Sequence, residues 1–276
     1  MRPAIASILT GVREDTVSGC SEMTSKLLQN LRSLLNTNRT ITRAEWQEFV
    51  GELRDARPGM APFHNIANMI EAKASDPALT NWNDAMADMV DEVLQELMNS
   101  ASEISEKFLG LVQGGKFLTI SYSSTVMSTL LREARDNEIM VYVAESLPLG
   151  EGRTTVKKLA SHRIHTRLIT DSMIGSVIDE VDCCIVGADA ITKNGVLNKV
   201  GTRALAATCM TAGKSFYVLS SEIKIANITS IDLKRATKMH DGFTDMSQIF
   251  ELTPLDLVDT IVTDKRVLSP TSLVWK

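Results

Sequence analysis

The chain of 276 residues has only four cysteines, Cys20, Cys183, Cys184 and Cys209, and none stands at a CxxC or other zinc spacing. Reduced core thiols in a cytoplasmic protein are therefore expected. The four histidines do not cluster either. His162 and His165 stand three apart without a third ligand, and His64 and His240 are isolated, so no metal is expected. No apolar run is long enough to span a bilayer, and no signal-peptide core opens the chain, so no membrane partner is expected. Positive charge is not in excess. Lys and Arg total 29 against 34 Asp and Glu, and the net −5 gives no reason to expect direct nucleic-acid contact. Neither a P-loop nor GxGxxG occurs, which removes both nucleotide fingerprints, and no cofactor is implied. There is no internal repeat and no low-complexity tract.

What is present is an ordinary globular composition, 44% apolar and 23% charged, in a length that suits one large or two modest domains. The period of the apolar residues changes along it. Residues 1–108 read as a helical N-terminal domain. Met23, Leu27, Leu28, Leu31, Leu34 and Leu35 make one helical stripe. Thr42 followed by Glu45 matches a capping box ahead of Trp46, Phe49, Val50 and Leu53. Arg57-Pro58-Gly59-Met60-Ala61-Pro62 should break that helix, because proline cannot sit in a helix interior. A further helix is expected from about His64 to Lys73, and a long one from Asn83 to about Phe108. In Val17-Ser18-Gly19-Cys20-Ser21, Ser21 is the expected N-cap, and an anion held by the same amides is the other open reading.

Residues 109–276 read as an α/β domain. Lys116–Ile120, Ile139–Ala144, His165–Ile169, Cys183–Val186 and Ser215–Leu219 are short apolar runs, with helices expected at Ser123–Arg135, Thr154–His162, Ser172–Ile178 and Arg203–Thr211. Asp171 is the expected N-cap of the third of these, and Asp259–Val262 a late strand. Strands alternating with helices predict a doubly wound, mostly parallel, Rossmann-like sheet covered on both faces. Handedness then puts the strand ends on one edge: Ser121 to Ser124, Glu145-Ser146, Thr170-Asp171, Gly187-Ala188-Asp189 and Ser220-Ser221. After the turn Lys193-Asn194-Gly195, the stretch Asn198-Lys199-Val200-Gly201-Thr202 is expected to enter a helix. A cation at a helix N-terminus opposes the macrodipole unless an anion joins it, so Lys199 points to an anionic guest.

With its preceding apolar strand, GADAITKNGVLNKVGT, residues 187–202, resembles the signature of the translation initiation factor 2B α/β/δ-subunit family. That family also holds methylthioribose-1-phosphate and ribose bisphosphate isomerases. Ser18-Gly19, Arg57-Pro58, Thr119–Ser124, Glu145-Ser146-Leu147-Pro148, Glu151-Gly152, Ile169-Thr170-Asp171, Phe216-Tyr217-Val218, Lys224 and Thr253-Pro254 match in order along nearly the whole chain. The length and short N-terminal half resemble archaeal members. The resemblance implies a helical N-terminal domain, a Rossmann-like C-terminal domain, a homodimer through the latter or a higher oligomer, and an initiation factor 2 subunit as a further partner.

The family's isomerases use a cysteine and an aspartate on a sugar phosphate. The aspartate carries over to Asp189, where proton transfer needs a carboxylate at a crevice edge. The cysteine's place is held by Ser121, a far weaker acid. Arginines of the sugar-phosphate enzymes are replaced by Ser18 and Leu147, and a serine cannot supply their charge. What remains for a small phosphorylated ligand is Lys199, Arg57, Arg203 and Lys224, with Asn198 and the amides at Gly201 and Thr202. Ser18, Gly19, Ser123, Ser124 and Glu145 are the further candidate contacts. A regulatory subunit that binds without turnover, an isomerase using Asp189 with Ser121, and an unrelated Rossmann-like enzyme are all open at this point.

Overall fold

A computed structural model describes residues 3–15, 18–37, 41–228, 233 and 235–273; Val17 lies outside them. The chain divides into two compact units, Met1–Asn99 with Ile223–Ala226, and Ser100–Glu222 with Asn227–Lys276. The division falls inside a long helix, whereas the expected boundary at residue 108 lies near that helix's end. Its last turns carry Ile104 and Phe108, which are buried beside Phe117 and Val126 of the second unit. No helix among the described residues is long and apolar enough to cross a membrane.

The first unit is helical. It comprises α1 (Pro3–Glu14), α2 (Cys20–Leu35), α3 (Arg43–Ala56), α4 (Ala61–Ser75) and the start of α5 (Trp82–Leu109). The predicted stripes form one core, in which Leu9, Leu27, Leu28, Leu31, Phe49 and Phe63 are fully buried. Trp46 and Phe49 pack edge to face with centroids 5.7 Å apart. The capping box on α3 is present: the Glu45 amide donates to Thr42 Oγ1 and the Thr42 amide to Glu45 Oε2. Residues 57–62 separate α3 from α4 as expected, and Pro62 belongs to the second of them. It lies in the first turn of α4, where the missing N–H would have been unpaired anyway.

The second unit is α/β. In chain order it holds β1 (Gly115–Ile120), α6 (Ser124–Asp136), β2 (Ile139–Ala144), α7 (Gly152–Ser161), β3 (His165–Ile169), α8 (Ile174–Val177), β4 (Cys183–Val186), β5 (Ala190–Thr192), β6 (Gly195–Lys199), α9 (Thr202–Ala212), β7 (Ser215–Leu219), β8 (Arg235–His240), β9 (Phe243–Gln248), β10 (Phe250–Thr253), β11 (Thr260–Val262) and β12 (Val267–Leu268). The main sheet runs β12-β11-β7-β4-β1-β2-β3, parallel except for β12. The chain moves outward from β1 to β3, then returns to the other side of β1 as β4. Order therefore reverses between β1 and β4, and the carboxyl ends of those strands flank the crevice.

Residues 235–253, from which no strand was expected, form three. β8 and β9 pair as a separate hairpin, and β10 joins β5 and β6 in a small antiparallel sheet. Asn198 and Lys199 accordingly end a strand rather than entering a helix. Losing the α3 cap should cost about 1 kcal/mol, so Thr42→Ala is expected to lower the denaturant midpoint with the m-value unchanged.

Candidate functional site

The crevice begins where β1 ends. Ser121 takes a left-handed backbone, φ 61°, uncommon outside glycine. Its amide donates to Ser146 Oγ at 2.6 Å, and its carbonyl accepts from Thr155 Oγ1 at 2.6 Å. Ser123 caps α6 by accepting from the Val126 amide, and Ser124 is exposed in that helix's first turn. Across the reversal, β4 leads into Gly187. A Cβ there would stand 2.5 Å from Ser123 Oγ, so only glycine lets the two strand ends lie this close. The Asp189 amide then donates to the Leu197 carbonyl at 2.9 Å, and the register Ala190↔Leu197 sets Asp189 opposite Asn198. Asp189 is half-buried.

The loop after β2 forms the next wall. Glu145 is paired with Arg153. Asp171 does not cap its own helix as expected. Its carboxylate accepts from the amides of Ser146 at 2.7 Å and Leu147 at 2.9 Å, which holds Ser146 at φ 65°. Gly152 opens α7 against the β2 end, and a Cβ on it would reach 1.9 Å from the Ala144 carbonyl oxygen.

Lys199 departs most from expectation. It is 2% exposed, and its Nζ lies 3.0 Å from Glu151 Oε1 and 2.8 Å from Oε2. Thr202 Oγ1 donates to the Lys199 carbonyl at 2.5 Å and accepts from Asn198 Nδ2 at 3.1 Å. At the N-terminus of α9, the amides of Gly201 and Arg203 donate to Glu251 Oε1 at 2.7 and 2.9 Å. Lys199 and the α9 amides, two of the positions at which an anion was expected, thus each carry a carboxylate of the chain itself. Glu151 stood in the quoted motif without a role. Glu251 had no signal, since nothing in its stretch predicted a strand.

The remaining candidates belong to the helical unit. Gly19, not Ser21, is the N-cap of α2, and Ser21 lies inside the helix. The Ser18 amide donates to Asp15 Oδ1 at 2.8 Å, and Ser18 Oγ accepts from Lys26 Nζ at 2.6 Å. Arg57 turns its guanidinium onto the carbonyls at the end of α1. Nε and Nη2 donate to Val12, and Nη2 also to Arg13 and Asp15. Lys224 is buried in a short 3-10 turn, Glu222–Lys224. Asn65, which the sequence reading missed, donates to the carbonyls of Ile223 at 2.7 Å and Ile225 at 2.9 Å and so holds the backbone that carries Lys224.

A sequence model of the Initiation factor 2 subunit family matches residues 16–270. The chain belongs to that family. Pyrococcus furiosus "Putative translation initiation factor eIF-2B subunit 2-like" is 27% identical, over 96% of each chain. The ribose 1,5-bisphosphate isomerase of Archaeoglobus fulgidus is 26% identical over 82% of this chain and 77% of its own. The crystal structure of the Pyrococcus horikoshii OT3 translation initiation factor eIF-2B superposes with a TM-score of 0.83 at 25% identity, covering 98% of both chains.

The four cysteines of this family member are all buried, and none is in a disulfide. Burial pushes the Cys183 thiol up to about 12, with the Asp182 charge adding to it. The Cys184 thiol is raised further, first by its hydrogen bond with Cys209 and then by burial. Neither thiol forms the thiolate a nucleophile needs. The native protein should therefore show no fast reaction with a thiol reagent at pH 8 and react at four sites in denaturant; a fast native thiol would contradict this burial. Asp171→Ala removes two charge-assisted hydrogen bonds and is expected to cost about 2 kcal/mol in urea unfolding.

Proposed function

We propose that this chain is a regulatory and assembly subunit of the initiation factor 2B type. It takes a small phosphorylated ligand, a nucleotide or sugar phosphate, at the carboxyl ends of the parallel strands. One observation carries the choice of binding over turnover. Ser121 stands at the end of β1 where the resemblance places a catalytic thiol, and the buried cysteines lie on α2, β4 and α9 instead. The groups that hold the Ser121 backbone, Ser146 Oγ on its amide and Thr155 Oγ1 on its carbonyl, are hydroxyls and not bases, so they do not activate a serine that is already a far weaker acid than a thiol. Ligand binding is supported by Lys199, a cation buried beside Asn198, and by Asp189 set opposite that asparagine. The proposal includes a homodimer through the α/β unit, an initiation factor 2 subunit as partner, a cytoplasmic location and an archaeal source.

The second reading, an aldose–ketose isomerase using Asp189 with Ser121, is supported by the similarity to the Archaeoglobus enzyme. A direct assay separates the two. Ribose 1,5-bisphosphate and methylthioribose 1-phosphate are incubated with the protein and product is followed by NMR, while binding of these sugars and of adenosine monophosphate is followed by calorimetry. The expected result is binding, weakened in Asp189→Asn, without turnover. Turnover that Asp189→Asn abolishes would establish the isomerase instead.

A further inference from the structure

The Lys199–Glu151 pair is unequal. The Lys199 side chain is 3% exposed and fixed at the end of β6, whereas the Glu151 side chain is 29% exposed at the start of α7. One member can move into solvent and the other cannot. The pairing is also imperfect. Glu151 Oε1 accepts a hydrogen bond from Nζ, and Oε2, itself buried, lies 2.8 Å from the same nitrogen with no second hydrogen-bond donor. One ammonium thus serves both oxygens of a carboxylate that has lost water, which leaves its hydrogen-bonding capacity incompletely used. Such a carboxylate is open to replacement by an anion with better geometry.

We infer that Glu151 is the specificity-determining residue of the crevice, an internal anion that a ligand's phosphate must displace from Lys199. This rests on the reading of the crevice as a phosphate site and adds to it a threshold. With Glu151 seated, the positive charge of Lys199 is already balanced, so a lone phosphate gains little there. A ligand binds only if its remaining contacts, such as those with Asn198 or Asp189, offset the displacement of Glu151. The crevice therefore rejects inorganic phosphate and selects larger phosphorylated molecules.

The test titrates inorganic phosphate and ribose 5-phosphate into the full chain and into Glu151→Gln, Glu151→Asp, Lys199→Met and the double variant Glu151→Gln/Lys199→Met, each first shown to melt cooperatively. Removing a competing charge from a buried cation should tighten phosphate binding by at least about ten-fold in Glu151→Gln. Glu151→Asp keeps the charge but shortens the reach, and should gain less. The gain should vanish in the double variant. If Glu151→Gln and Glu151→Asp bind no tighter than the unmodified chain while Lys199→Met weakens ribose 5-phosphate, Glu151 is not a competitor, although the crevice remains the anion site. If Lys199→Met alters nothing, the crevice is not the anion site, and both readings are overturned.

Discussion

Burial of the Lys199 ammonium constrains everything around it. A strongly hydrated charge taken out of water must be met by an opposite charge and by hydrogen bonds, or the fold loses several kcal/mol. Here Glu151 answers from a different element, 48 residues away along the chain. The loop from β2 to α7 must therefore come down beside β6. Gly152 makes that descent possible next to the Ala144 carbonyl, and Asp171 fixes the intervening turn through the amides of Ser146 and Leu147. In the proposed function the phosphate position and the structural ion pair are the same group of atoms, so that proposal couples ligand binding to loop geometry.

The reversal of strand order supplies the rest. Parallel strands with helices between them direct their carboxyl ends to one edge, and a change of direction such as that between β1 and β4 is where sheets of this kind place a ligand crevice. Ser121 and Ser123 come from one side and Gly187 to Asp189 from the other. The small sheet β10-β6-β5 then projects Asn198 and Lys199 from the β4 side, while its edge strand sends Glu251 to the α9 amides. The helix dipole that suggested a ligand in the sequence is satisfied internally.

The helices and the main sheet were legible because each buries a face that the residue order records. The stripe through Met23, Leu27, Leu28 and Leu31 became the buried side of α2, and the run Ile139–Ala144 became β2 with the expected ends. β8 and β9 were not legible. Every residue of β8 is exposed, so no buried face exists to impose alternation on Arg235–His240. The candidate site was legible in its residue types and not in how they pair. Asp189, Asn198 and Lys199 were singled out, but the partner of Lys199 is distant in sequence. Arg57 could be noted as a cation; that its guanidinium closes the end of α1 depends on how two helices meet, which residue spacing does not record.

The central claim is that the anion-binding cation of this crevice is Lys199 and that its resident counter-ion is replaceable. A crystal structure of the chain soaked with ribose 5-phosphate tests it most directly. The account predicts phosphate density against Lys199 Nζ and Asn198, with the Glu151 side chain rotated into solvent. Phosphate bound elsewhere, with the Lys199–Glu151 pair intact, would contradict it.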